Sequence, residues 1–158
     1  MFRPLRRIKK AISSEEAKNL LKTERRGVFA VIGDEGYPYA VPVNFLYDEA
    51  AEKIYFHGSA AGHKAYSLKK NDKICFTVYG NETIGEEAWA PYMQSVVIFG
   101  RCRLVDNREE VVSHVRDFAM KYYPSAEAVE EELSRYKAAV QLYEITIEHM
   151  CGKQIQEK

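Results

Sequence analysis

Phe56-His57-Gly58-Ser59-Ala60-Ala61-Gly62-His63-Lys64 carries the residue types and spacing best suited to gripping a phosphate. The stretch reads as the end of a strand at 53–57, a loop of small residues, and the first turn of a helix reaching about residue 70. Small residues let backbone amides approach a ligand, and a helix N-terminus leaves several N–H groups without partners. Cations in a first helical turn oppose the helix dipole, so His63 and Lys64 sit at the wrong end by propensity alone. A bound anion would remove that conflict. The plainer alternative is a glycine-containing connector whose lysine points into water. The pattern is neither a Gly-Lys-Ser/Thr Walker loop nor a GxGxxG dinucleotide fingerprint.

A second candidate is Tyr37-Pro38-Tyr39-Ala40-Val41-Pro42-Val43-Asn44-Phe45. Backbone N–H groups two residues apart point to the same side of a strand. Pro38 and Pro42 therefore remove donors along one edge, which a neighbouring strand cannot fully pair. Asn44 has the same parity, so its N–H and amide would face the unpaired side, where a planar heterocycle could use them. An ordinary edge strand ending at Asn44 is the alternative. Trp89-Ala90-Pro91-Tyr92-Met93 sets three large side chains in a loop, either as a cover over a core edge or as a stacking surface at a cofactor or subunit contact.

The histidines differ in promise. His114 flanks an apolar helix face and reads as a surface residue. His149 follows Ile145 and Ile147 on one strand face, which suggests a half-buried structural role. His57 and His63 belong to the candidate phosphate loop. No Cys/His spacing suits a metal, no cysteine is marked as activated, and no GxSxG elbow occurs.

These residues must be positioned by a chain of 158 residues, long enough for one domain with a real core. Twenty-three Lys and Arg balance 23 Asp and Glu, so no global field points to nucleic acid. Residues 1–10 carry five basic side chains but lack interleaved aromatics, and read as a solvated lead-in rather than a nucleic-acid arm. Apolar runs are too short to span a membrane, and no secretory signal follows the basic N-terminus. Cys75, Cys102 and Cys151 show no CxxC spacing, which fits reduced thiols in the cytoplasm.

Ser13 and Glu16 form a capping box that opens a helix to about residue 25. Strands are expected at 28–32, 37–47, 53–57, 73–79, 94–105 and 139–149, and further helices at 108–122 and 125–136. In the strand at 73–79, Ile74, Phe76 and Val78 alternate with Cys75, Thr77 and Tyr79. Hairpins dominate, so the expected architecture is mainly β: an antiparallel barrel with peripheral helices.

Taken together, Pro42-Val43-Asn44-Phe45, the 56–64 stretch and Ser95-Val96-Val97-Ile98-Phe99-Gly100 resemble the FMN-binding split-barrel family. The branch is similar to the pyridoxamine 5′-phosphate oxidase-related proteins that include the nitroimidazole-resistance reductases. The resemblance covers residues 26–153. It implies a six-stranded antiparallel split barrel and a homodimer with FMN at the subunit interface. By the same resemblance, Pro42, Val43 and Asn44 would line the isoalloxazine edge. Phe56, His57, Gly58 and Ser59 would run beneath the ring and ribityl chain, and Gly62, His63 and Lys64 would hold the phosphate. Ser95 and Val96 would complete the pocket, with Trp89 and Tyr92 closing it from the partner subunit. The tail Glu148-His149-Met150-Cys151-Gly152-Lys153 lacks the arginine- and histidine-rich set that grips pyridoxamine phosphate, which argues against vitamin B6 oxidation.

The first functional expectation is an FMN-dependent oxidoreductase that moves electrons from NAD(P)H to a small electrophile, nitroaromatic or quinone-like. The second is a flavin-binding module without turnover, and the same groove could take haem or a deazaflavin. A flavin carries its own redox chemistry, so a shortage of acid, base and nucleophile motifs is in keeping with either.

Overall fold

The computed structural model describes residues 1–84, 91–122, 125–128, 130–131 and 141–155. The capping box forms as read: the Glu16 N–H donates to Ser13 Oγ at 3.1 Å, and the Ser13 N–H donates to the Glu16 carboxylate at 2.8 Å. It opens α1 (Ser14–Thr23), which buries Ala17, Leu20 and Leu21. Seven strands follow, with α2 (His63–Lys70) and α3 (Arg108–Tyr122) between them. The strands are β1 (Arg26–Ile32), β2 (Pro38–Asn44), β3 (Leu46–Asp48), β4 (Lys53–Gly58), β5 (Lys73–Thr83), β6 (Tyr92–Val105) and β7 (Gln141–Gln154).

They form one antiparallel sheet in the order β2-β1-β5-β6-β7-β4-β3. The sheet curls until β2, at one edge, touches β4, next to the other. Phe29, Phe45, Phe56, Phe76, Ile98, Tyr143 and Ile145 fill the inside, all fully buried. The alternation read from β5 holds and β6 repeats it: Ile74, Phe76, Val78, Val96, Ile98 and Cys102 face inward, while Arg101 and Arg103 face out. This is the split barrel. No helix among the described residues is long and apolar enough to cross a membrane.

Three expectations are corrected. The barrel has seven strands rather than six, because the strand expected at 37–47 divides at Phe45. There the ladder is interrupted by α3. The Phe45 N–H donates to the Tyr122 hydroxyl at 2.9 Å, that hydroxyl lies 2.6 Å from the Phe45 carbonyl, and Lys121 Nζ donates to the same carbonyl at 3.1 Å. With its backbone groups taken by side chains, the chain leaves β1 and pairs with β4. Burial pulls the Lys121 ammonium pKa down to about 8, with repulsion from Arg25 adding to the effect. Removing the hydroxyl in Tyr122→Phe strips this corner of its acceptor. It should destabilise the chain by about 1–3 kcal/mol, measured by urea unfolding.

The final strand does not end at 149 but runs to Gln154, and His149 does not share a face with Ile145 and Ile147. Phe99 pairs with His149 while Gly100 pairs with Ile147, so Glu148 is an extra residue in the strand. One inserted residue flips every later side chain to the other face. Met150 therefore packs inward, while His149 turns outward and stacks on Phe2 at 4.7 Å. The third correction is His114, which is half-buried and stacked on buried Tyr55 at 4.0 Å rather than free on the surface. Residues 126–128 are helical as expected, whereas Val129, Leu133 and Tyr136, read as one face of that helix, lie outside the described side chains.

Candidate functional site

β4 delivers the loop. Phe56 points into the core, His57 lies on the outside, and residues 59–62 are exposed before α2 starts at His63. Gly62 has φ +102° and ψ −179°, a conformation that a side chain would strain, and it gives α2 no side-chain cap. No acidic residue lies in the first turn of α2 either, so its leading N–H groups meet no carboxylate there. Ser59 Oγ accepts the Ala61 N–H at 3.1 Å, which folds the loop tightly. Its other anchor is Tyr143, whose hydroxyl donates to the Ser59 carbonyl while its ring stacks on Phe56 at 4.7 Å. A core tyrosine thus holds the loop from below.

The cations around it have different states. Desolvation lowers the His57 pKa, so the imidazole is neutral at pH 7 even though part of its surface is accessible. His63 Nε2 accepts the Asp34 N–H at 3.3 Å, and the ring stacks on Tyr39 at 4.0 Å. The same Nε2 lies 3.6 Å from the Asp34 carboxylate, so Asp34 and Tyr39 together fix the ring. Lys64 is half-buried beside Gly58, and among the described residues no carboxylate pairs with it.

β2 is an edge strand, paired only with β1, so the side carrying Pro38 and Pro42 is open. Val43 is half-buried against the core, whereas Pro42 and Asn44 are exposed. The Tyr39–His63 stack ties this strand to the start of α2. One chain therefore brings the proline strand and the small-residue loop together.

It does not bring the remaining candidates to them. Gly58 pairs with Gln141 at one end of β7, and Ser95 pairs with Lys153 at the other. The twelve residue steps from Gln141 to Lys153 amount to about 40 Å at the ordinary strand rise. Ser95 is buried, Val96 is sealed in the core, and the Tyr92 hydroxyl donates to Gln154 Oε1 at 2.6 Å. Trp89 lies outside the described residues. A site using both groups needs a second copy of the chain. Sequence reading missed Tyr143 and Asp34; the first could have been suspected from its place in the inward series Tyr143, Ile145, Ile147. Among the described residues no cluster of His, Cys, Asp or Glu is placed to hold a metal.

An antiparallel split barrel with an uncapped, basic helix start behind a small-residue loop defines a class, and sequence comparison gives the family. The chain belongs to the pyridoxamine 5′-phosphate oxidase family, whose model matches residues 13–154. Comparison with curated proteins gives no match. Among solved structures, a candidate 5-nitroimidazole antibiotic resistance protein from Bacteroides thetaiotaomicron is 22% identical. It superposes with a TM-score of 0.73 over 91% of this chain and 86% of its own. An FAD-binding protein from Mesorhizobium loti is 21% identical, with a TM-score of 0.63 over 93% of this chain and 98% of its own. The flavocytochrome Anf3 from Azotobacter vinelandii is also 21% identical, with a TM-score of 0.77 over 98% and 73%. At such identities the likeness is one of fold.

Proposed function

We propose that this chain is a single cytoplasmic FMN-binding domain, working as a homodimer that transfers electrons from NAD(P)H to a small electrophile such as a nitroaromatic or a quinone. The observation that carries the reading is the uncapped first turn of α2 behind Gly58–Gly62, with Lys64 beside it and no carboxylate paired to it among the described residues. Backbone amides, a positive helix end and one ammonium make a fitting cradle for a phosphate ester. Gly62, Lys64 and the Ser59 loop would hold the phosphate. His63 would contribute through its imidazole, and Val43 and Asn44 would offer main-chain and amide groups to the ring edge. The flavin itself supplies the redox chemistry; the protein's part is to hold and orient it.

Two observations favour the homodimer. The candidates on β6 cannot reach the loop within one chain, as the β7 pairing indicates. The outer face of β5, β6 and β7 also carries Tyr79 and Phe99, 59% and 38% exposed, with half-buried Thr77, Val97 and Cys151 around them. Such a face suits coverage by a second copy. The FAD-binding and flavocytochrome relatives keep a module without turnover, or one taking haem, as the competing reading. Steady-state oxidation of NADPH and NADH by FMN-loaded protein, with nitroaromatic and quinone acceptors, separates them. Acceptor-dependent turnover is expected, and stable flavin with no turnover across the panel would favour the binding module.

A further inference from the structure

The N-terminal segment is solvent-exposed along most of its length, as read, but it is tethered at several points. The Phe2 ring stacks on His149 and, at 5.6 Å, on Phe99. Ala11 bridges to Lys153, the Ile12 N–H donates to the Gly152 carbonyl at 3.2 Å, and Lys10 Nζ donates to the Ile155 carbonyl at 2.7 Å. These tethers press a basic segment against the end of β7. Between them lies a pocket of about 340 Å³ with Arg6, Arg7, Lys10 and Lys153 on its walls and Leu5 and Ile155 as apolar surface. Among the described residues no acidic side chain lines it, and none of the four cations is in an ion pair. Four cations converge while the chain as a whole carries no net charge.

We propose that this pocket is a second anion site, binding a phosphate-bearing small molecule of about mononucleotide size. Two arginines present fork-shaped donors that match phosphate oxygens, with Lys153 as a point charge beside them. The volume stands at the small end of ligand pockets, which fits a ligand of mononucleotide size. Leu5 and Ile155 give the uncharged part of the ligand a surface to cover. A single-stranded nucleic acid would need an extended groove with stacking aromatics, and the lining offers neither. The pocket shares β7 with the loop at Gly58 but sits at the opposite end of that strand, the end that carries Ser95 and Tyr92, so saturating FMN is kept present in the test to fill the flavin site first.

Isothermal titration of the full chain in excess FMN, with ADP and with inorganic pyrophosphate as probes, tests this. Binding that weakens with salt is expected. It should fall at least about tenfold in the double variant Arg7→Gln/Lys153→Gln, the scale of one charge-assisted contact. Arg7→Lys should retain most of it, and both variants should melt like the parent because the altered side chains are exposed. ADP binding more tightly than pyrophosphate would identify a nucleotide site, and equal affinity a site for free phosphates. The proposal is overturned if neither probe binds at millimolar concentration or if the double variant binds unchanged. It is likewise overturned if a single-stranded oligonucleotide binds more tightly than both probes.

Discussion

Arg103→Met should destabilise the protein by about 3 kcal/mol, and more than Glu144→Gln does. Glu144 is 2% exposed, yet its carboxylate is fully engaged. It accepts Arg103 Nε at 2.8 Å and Nη2 at 3.1 Å, Lys53 Nζ at 3.1 Å and the Tyr55 hydroxyl at 3.3 Å. Breaking a buried pair costs about 3–5 kcal/mol when it strands a buried charge. Here the two partners are not equally buried. The Arg103 side chain is 55% exposed, so without Glu144 it returns to water, and the loss is closer to the roughly 1.5–3 kcal/mol of charge-assisted hydrogen bonds. Without Arg103 the carboxylate stays inside with only Lys53 and Tyr55. Chemical unfolding of both variants reads the asymmetry, and equal losses would contradict it.

The pH dependence follows from the same site. Desolvation pushes the Glu144 pKa up, but hydrogen bonds from Arg103 and Lys53 and their charges outweigh it and hold the group below its ordinary 4.5. A depressed carboxylate pKa adds stability that is present above the unfolded value and is lost as pH falls through the folded one. Parent stability should therefore drop as the solution is acidified below about pH 4.5, near the ordinary carboxylate value. Arg103→Met removes the largest lowering influence, so the part of the acid loss that comes from Glu144 should shrink in that variant.

Lys64→Ala should weaken FMN binding by about 1.5–3 kcal/mol, roughly 10- to 150-fold, the range for hydrogen bonds to a charged group. Among the described residues the ammonium has no carboxylate partner, so its loss should leave apo-protein melting unchanged. A stability effect would instead mean that the stem beside Gly58 is packing the loop. His63→Ala is a useful contrast. It removes the Tyr39 stack and the acceptor for the Asp34 N–H, so affinity and melting temperature should fall together. Fluorescence titration of FMN against each variant reads the difference, and unchanged affinity in Lys64→Ala would remove that residue from the proposed cradle.

Most of the barrel could be read from residue order because its strands obey a two-residue period. Ile74, Phe76 and Val78 on β5 and Val96, Ile98 and Cys102 on β6 alternate cleanly, and buried faces enforce that register. The edge position of β2 followed from two missing donors at Pro38 and Pro42. What escaped was non-local. The break at Phe45 is imposed by Tyr122 and Lys121, 77 and 76 residues away. The bulge at Glu148 leaves no mark in composition, yet it exchanged the faces of His149 and Met150. The basic lead-in is exposed as read, but its tethering at residues 2–12 depends on the far end of β7 and could not be seen in the sequence. At the site, chemistry was legible in residue type, whereas the Tyr143 anchor and the Asp34–His63 contact needed three dimensions.

The visible absorption spectrum of the protein as purified, followed by identification of whatever denaturation releases, tests the central claim most directly. A two-band yellow flavin spectrum that comes away as FMN, or is restored by adding FMN to colourless protein, is the predicted result. A haem spectrum would contradict it. So would a colourless preparation that takes up no FMN and gains no thermal protection from it.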